Sequence, residues 1–378
     1  MAVAYLDNSA TTAVYPESAA LAAQMMTDCF GNPSSLHTLG FDAEQRMTVA
    51  RSRVAALIAA EPETIIFTSG GTEANNLALL GAAEAKKRDG RHIITSQIEH
   101  PSVSAACDRL ETLGFEVERI APRKDGCVDP EAVLAACRED TILISIMTVN
   151  NETGARFPWE SAHAEVRRRA PHAILHTDAV QAAGKLALSV QKLGVDLLSM
   201  SGHKLHAPKG VGALFVRKGV RLTPPAALGG GQEKGRRSGT ENVPAIVAFG
   251  DAVTRLPAPD EADRLYRSLR EALLEGLQSW PEAVPHLPQY GVPYIVNFSM
   301  TGYKSETLLH FLAQRDVFVS GGSACAKGHK SPVLTAMNLP AREIDSALRV
   351  SFCEQNTIDD IKALLAALTD ARASLIHT

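Results

Sequence analysis

Between about residue 60 and residue 217, short β-rich apolar runs alternate with longer helical patterns. The apolar runs fall at 64–69, 92–96, 116–120, 142–149, 174–178, 197–201 and 212–217. Helical spacing covers 73–88, 102–113 and 130–138 between several of them. Strand–helix alternation of this kind predicts an α/β fold, with one mostly parallel seven-stranded sheet flanked by helices on both faces. In such sheets ligands bind outside the carboxyl ends of the strands. After residue 217 the pattern changes. Residues 221–244 are rich in Gly, Pro and charge and read as a long loop, 243–255 is helical, and Pro257-Ala258-Pro259-Asp260 marks a domain boundary. Strand patterns at 294–299, 317–320 and 348–352, with helices between them, predict a smaller α+β domain. The expected division is a large domain over 15–256 and a small one built from 1–14 and 257–378.

Two of the strand ends carry chemistry. The run Leu197-Leu198-Ser199-Met200-Ser201-Gly202-His203-Lys204 ends in a Lys, and Ala173-Ile174-Leu175-His176-Thr177-Asp178 ends in an acid. Taken singly, such a Lys is a solvated loop charge and such an Asp a helix cap. Taken together, they are what pyridoxal phosphate (PLP) requires: an amine for a Schiff base and a carboxylate for the pyridinium nitrogen. The amine needs a partly desolvated site in which its neutral form is accessible. Upstream, Ile65-Ile66-Phe67-Thr68 runs into Ser69-Gly70-Gly71-Thr72-Glu73 at the start of a helix. Two glycines permit close backbone approach to an anion, and Thr72 adds a hydroxyl beside free N–H groups. No Gly-Lys-Ser/Thr follows, so the cradle suits a resident cofactor phosphate better than a transferred one. In Leu348-Arg349-Val350-Ser351-Phe352 the period of two puts Arg349 and Ser351 on one face, where the Arg can offer a fork to a carboxylate.

Composition narrows the alternatives. The 378 residues are 45% hydrophobic and 21% charged, ordinary values for a soluble globular chain, with a formal net charge of −4. That balance favours neither nucleic acid nor an anionic membrane as partner. The longest apolar run, Ile142-Leu143-Ile144-Ser145-Ile146-Met147, is far short of a membrane span. The N-terminus lacks the basic start and long apolar core of a signal peptide, so a cytoplasmic location is expected. The six cysteines are scattered with no C-x-x-C pair, which fits free thiols in a reducing compartment and argues against a metal-binding carrier. No metal site is expected.

A series of motifs runs in order along the chain: Tyr5-Leu6-Asp7-Asn8-Ser9-Ala10-Thr11-Thr12, Gly31-Asn32-Pro33-Ser34-Ser35-Leu36-His37, Thr68–Asn76, Glu99-His100, Val149-Asn150-Asn151-Glu152 and His176–Gln181. Ser201-Gly202-His203-Lys204, Arg237-Ser238-Gly239-Thr240-Glu241-Asn242 and Gly321-Gly322-Ser323-Ala324-Cys325 complete it. In these motifs the chain resembles the cysteine desulfurases, first group, of the fold type I PLP-dependent aminotransferase superfamily. The resemblance implies that Lys204 carries the Schiff base, Asp178 pairs with the ring nitrogen, and Gln181 bonds the phenolic oxygen. It implies that Asn151 lies near that oxygen and the substrate carboxylate, and that His100 stacks on the ring and assists proton transfers. Thr72, Ser201 and His203, with the backbone of Gly71, would bind the phosphate. Thr240 would reach that phosphate from the neighbouring subunit of a homodimer. Arg349, helped by Asn32, would bind the carboxylate of L-cysteine.

Cys325 decides the reaction, because PLP enzymes share their first steps and differ in what else reaches the substrate. It lies in Ser320-Gly321-Gly322-Ser323-Ala324-Cys325-Ala326-Lys327-Gly328-His329-Lys330, where glycines give backbone freedom and Lys327, His329 and Lys330 favour a thiolate. The next helix is expected to start at Ser331-Pro332. The segment between Cys325 and Pro332 is shorter than in the better-known first-group members. The reading is a desulfurase in which Cys325 takes sulfur from L-cysteine as a persulfide, leaves L-alanine, and passes the sulfur to an acceptor. That acceptor would be an iron–sulfur scaffold or a tRNA-thiolation relay protein. Selenocysteine lyase and PLP-dependent aminotransferase are the alternatives.

Overall fold

A computed structural model of the chain describes residues 3–223, 228–321 and 330–377. Its strands are β1 (Ala4–Tyr5), β2 (Ile65–Thr68), β3 (His92–Ser96), β4 (Glu116–Ile120), β5 (Thr141–Ser145), β6 (Ile174–Asp178) and β7 (Leu197–Ser201). There follow β8 (Gly212–Val216), β9 (Ala283–His286), β10 (Ile295–Met300), β11 (Val317–Phe318), β12 (Ser320–Gly321) and β13 (Ala347–Ser351). The seven-stranded sheet has the order β2-β8-β7-β6-β5-β3-β4. All of its strands run parallel except β8, which is antiparallel to both of its neighbours. Consequently the carboxyl ends of β2, β6 and β7 share one edge.

Strands β5 to β8 are buried at every position, as expected where helices cover both faces. This is why they read as unbroken apolar runs. The edge strand β4 instead alternates between exposed and half-buried residues. The polar residues inside β6 are satisfied internally. His176 bonds Ser145 Oγ at 2.8 Å and Ser199 Oγ at 3.1 Å, and burial pulls its pKa down to about 3, so it is a neutral imidazole.

The run 142–149, expected as one strand, is in the sheet only as far as Ser145. Beyond it the carbonyl of Ile146 accepts from side chains, Thr177 Oγ1 of β6 and Trp159 Nε1, rather than from a backbone N–H. The helix expected over 73–88 runs from Gly71 to Lys86, so the glycine pair opens directly into it. The helix after the cysteine segment begins at Pro332 with Ser331 as its cap, as expected.

The second sheet is antiparallel, in the order β12-β13-β10-β9. Strand β9 and the helices Pro16–Thr27, Thr38–Ala56 and Pro259–Leu277 carry patterns that the sequence reading left unassigned. The N-terminal strand β1 pairs with β11, and Leu6 exchanges backbone hydrogen bonds with Phe318 and Ser351. This draws Asp7, Ser9 and Ala10 towards the carboxyl edge of the large sheet.

Candidate active site

At that edge three chain segments approach one another closely. Gly212 faces Thr68 across the β2–β8 ladder. A Cβ on Gly212 would lie 2.7 Å from the backbone of Gly70 and 2.7 Å from the Met200 carbonyl, so only glycine lets the cradle sit this low. Asp178 closes β6, in register with Ser199 of β7. A single 3₁₀ turn, Gly202–Lys204, then carries His203 and Lys204 beyond β7. Lys204 Nζ donates to the carbonyls of Ser9 and Ala10 at 2.6 and 2.5 Å, which ties the N-terminal segment over the strand ends.

These segments enclose a cavity of about 300 Å³. Gly71, Thr72, Ser201 and His203 line it together with Asp178, Gln181 and Lys204, and His100, Asn151 and Arg349 complete the wall. Burial is the first cause that pulls His203 down to about 4, with Lys204 adding to it, so its ring is neutral beside the ammonium. His100 is also held below its ordinary value, chiefly by burial, with Asp178 opposing and Lys204 assisting the fall. His100 caps the helix Pro101–Thr112. Its Nδ1 accepts from the Ser102 backbone N–H at 3.1 Å, so the neutral ring carries its proton on Nε2.

The sequence reading assigned no role to Asn75 or Ser102, yet they join the two sides of the cavity. Asn75 Nδ2 donates to Asp178 Oδ2 at 2.7 Å and to Ser102 Oγ at 2.9 Å. Ser102 Oγ lies 2.8 Å from His100 Nδ1. Asp178, Asn75, Ser102 and His100 thus form one hydrogen-bonded chain that fixes the carboxylate relative to the imidazole. The sequence signal was the first asparagine of Thr72-Glu73-Ala74-Asn75-Asn76, about one helical turn inside the cradle helix.

Arg349 is only 1% exposed, on β13 between β12 and β10. Its Nη1 donates to the Asn151 carbonyl at 2.9 Å and its Nη2 to Asp7 Oδ1 at 2.7 Å, while Nε has no partner among the described residues. The neighbouring Glu152 is buried and accepts from the Ser331 hydroxyl at 2.5 Å. Burial pushes Glu152 up to about 7, opposed by the Ser331 bond and by Arg349. Ser320 of β12 lies in register with Arg349. Both flanks of the segment carrying Cys325 are therefore fixed to residues on the Arg349 side of the cavity. Cys325 itself lies outside the described residues.

Two other expected site residues are not in the cavity. Asn32 is exposed, and its Oδ1 accepts from the Ser34 N–H at 2.9 Å. Thr240 is exposed at the end of the long Gly-rich loop. Among the described residues, His206, Cys353 and Glu354 place potential metal ligands within 4.8 Å of one another. Those ligands are already engaged: His206 Nε2 pairs with Glu354 at 3.2 Å, and Tyr15 donates to the same carboxylate. Burial pushes the Cys353 thiol up to about 12, so it stays protonated.

The cavity's chemistry fits PLP. It offers an ammonium, a buried carboxylate, a neutral imidazole and the N-terminus of a 16-residue helix, where a dianionic phosphate is favoured. Ser9 Oγ, Asn75 Oδ1 and Arg349 Nε are buried on its lining residues without hydrogen-bond partners.

An α/β sheet with this site at its carboxyl edge matches the aminotransferase class-V family model over residues 4–364, and the chain belongs to that family. Among its relatives, "Cysteine desulfurase IscS" of Methanosarcina thermophila is 42% identical over 97% of this chain and 91% of its own length. A solved structure titled "NIFS-LIKE PROTEIN" superposes with a TM-score of 0.93 at 35% identity, covering 99% of this chain and 100% of that one. Another, "SspA in complex with cysteine", has a TM-score of 0.81 at 33% identity, covering 92% of this chain and 98% of that one.

Proposed function

We propose that this chain is a PLP-dependent cysteine desulfurase that converts L-cysteine to L-alanine and takes the sulfur onto Cys325 as a persulfide. The joint placement of Lys204 and Asp178 at neighbouring strand ends, with Arg349 in the same cavity, carries this reading. The family and the names of its relatives support it.

Lys204, Asp178, Gln181, Ser201, His203, Thr72 and the Gly71 backbone hold the cofactor, and Thr240 reaches it from the second subunit of a homodimer. Met26, Phe30, Leu36, Phe41 and Val49 are large apolar side chains exposed within the first fifty or so residues, which supports such a pairing. Asn151 and Arg349 hold the substrate carboxylate. When bound, the cofactor supplies an electron sink for charge developing at the substrate α-carbon.

Lys204 Nζ removes the α-proton, and its contacts with the carbonyls of Ser9 and Ala10 keep it over the strand ends. His100, neutral and protonated on Nε2, assists proton transfer. The Cys325 thiolate attacks the substrate sulfur. A sulfur–sulfur bond forms as the carbon–sulfur bond breaks, the electron pair stays with the substrate β-carbon, and that carbon takes a proton while the α-carbon regains the one held by Lys204 Nζ, which leaves L-alanine. Cys325 is four residues from Gly321 and six from Ser331, so the covalent chain holds it within about 14 Å and about 20 Å of these anchors. A sulfur-acceptor protein, either an iron–sulfur scaffold or a tRNA-thiolation relay, then receives the persulfide in the cytoplasm. The substrate arginine and the cysteine segment belong to a small domain of 1–14 and 257–378, and the cofactor cradle belongs to a large domain of 15–256.

The test is Cys325→Ala. The variant should bind PLP and change its absorbance on addition of L-cysteine, yet form neither alanine nor sulfide with a reductant present. Full alanine formation by the variant would remove the persulfide step. A requirement for a keto acid would indicate transamination instead.

A further inference from the structure

Lys185 is a buried cation that the reaction described above does not use. It is 6% exposed, and among the described residues it makes no ion pair. Its Nζ donates one hydrogen bond, to Gln181 Oε1 at 3.4 Å, and sits 5.1 Å from the centre of the Tyr294 ring. Tyr294 in turn donates its hydroxyl to the Gln181 carbonyl at 2.8 Å. Burial pulls Lys185 down to about 8, Cys353 and Glu354 oppose the fall, and Arg349 assists it. The group is therefore an ammonium at neutral pH. Holding an ammonium in an apolar interior is costly, and hydrophobic replacement of such groups is often neutral or stabilising. Its presence calls for a role.

The role follows from the inventory of donors and acceptors. A glutamine amide has one acceptor end and one donor end, and its own shape does not choose which way round it sits. An ammonium has donors only. Oε1 of Gln181 must therefore face Lys185, which turns Nε2 the other way. Nε2 donates to the Ser9 carbonyl at 2.9 Å, and Lys204 Nζ donates to that same carbonyl at 2.6 Å. A flipped amide would set NH₂ against NH₃⁺ and carbonyl against carbonyl.

We propose that Lys185 is a positioning residue, whose ammonium locks the Gln181 amide so that this side chain presents only its N–H donors to the cavity and a phenolic oxygen held there is kept ionised. The inference rests on the reading of the cavity as a PLP site and extends it to a residue behind the wall.

The experiment uses the full-length protein loaded with PLP, and reads the protonation midpoint of the cofactor by absorbance across pH. Lys185→Met keeps the length of the stem and removes the donor and the charge. It should raise the midpoint by about one pH unit, a tenfold gain in proton affinity. In a Gln181→Ala background the same substitution should move the midpoint by less than threefold, because the amide it acts through is gone. Equal shifts in both backgrounds would make Lys185 a direct charge effect and overturn the positioning role, as would an unmoved midpoint in folded Lys185→Met protein. Thermal unfolding of the cofactor-free protein gives a readout that does not depend on that variant. Gln181→Glu, which loses the donor to Ser9 but gains a charge facing Lys185, should unfold at a higher temperature than Gln181→Leu, which loses both bonds, and a transition below that of Gln181→Leu would show that Lys185 does not hold position 181. Failure of the wild type to bind PLP would defeat the cofactor reading itself, whereas loading with unmoved variants defeats only this inference.

Discussion

Glu99 precedes His100 and is 6% exposed. Its Oε1 accepts from the Ser96 hydroxyl at 2.5 Å and the Met147 N–H at 3.0 Å, while Oε2 has no partner. Burial pushes its carboxyl up to about 8 from an ordinary 4.5; the two hydrogen bonds oppose the rise and the negative charge of Asp178 adds to it. The native state therefore holds a proton that the unfolded chain has lost between these values. Stability is full below the unfolded value and falls as pH rises, by about 1.4 kcal/mol per pH unit, until the folded value is reached. Glu99→Gln keeps the shape and the donor of the neutral acid but does not titrate. From pH 5 to pH 8 the variant should gain about 3–4 kcal/mol on the wild type. Urea unfolding of the cofactor-free protein at pH 5, 6, 7 and 8 measures the difference directly. Glu152, raised to about 7, titrates in the same direction in both proteins and cancels. Parallel stability curves would refute a protonated Glu99. A neutral Glu99 matters to the site, because ionisation would place a second negative charge near Asp178.

Two further substitutions separate the cofactor cradle from the substrate end. Gly212→Ala forces a methyl within 2.7 Å of the Gly70 backbone, which has no flexible side chain to yield, so PLP affinity measured by absorbance titration should fall about tenfold, through strain of about 1–3 kcal/mol. An affinity within twofold of wild type would mean that the β2–β8 edge does not shape the cradle. Arg349→Gln removes a charged fork worth about 1.5–3 kcal/mol, so KM for L-cysteine should rise about 10- to 150-fold while PLP affinity changes less than threefold. Loss of PLP instead would place Arg349 on the cofactor.

Much of this was legible along the chain because burial writes itself into pattern. Strands β5 to β8 are covered on both faces and rich in apolar residues, so Asp178 at the end of β6 and Lys204 just beyond β7 stood out. Strand β9 and the helix Pro16–Thr27 were not legible. The first packs with intermediate burial, and the second buries only Ser18 and Met25, leaving little apolar contrast. The period of two around Arg349 put it on one face with Ser351 and gave it a carboxylate to bind, but did not show that β13 is buried throughout or that the guanidinium already meets Asp7 and Asn151. No local pattern announces a contact between residues 342 positions apart. The same holds for Asn75 and Ser102, whose importance lies in what they join.

The large sheet presents Asp178, Ser201 and Lys204 from strand ends whose backbone is fixed by neighbours on both sides, so their geometry follows from register. Cys325 follows β12, a strand of two residues at the edge of the small sheet, and precedes a helix capped by Ser331. On the proposed reading Cys325 has two tasks, to take sulfur from a substrate in the cavity and to pass it to an acceptor. The segment's two ends are held at Ser320, in register with Arg349, and at Ser331, through Glu152, with ten residues, 321–330, between them, so the chain enters and leaves it on the side of the cavity where, on the proposed reading, the substrate carboxylate is held.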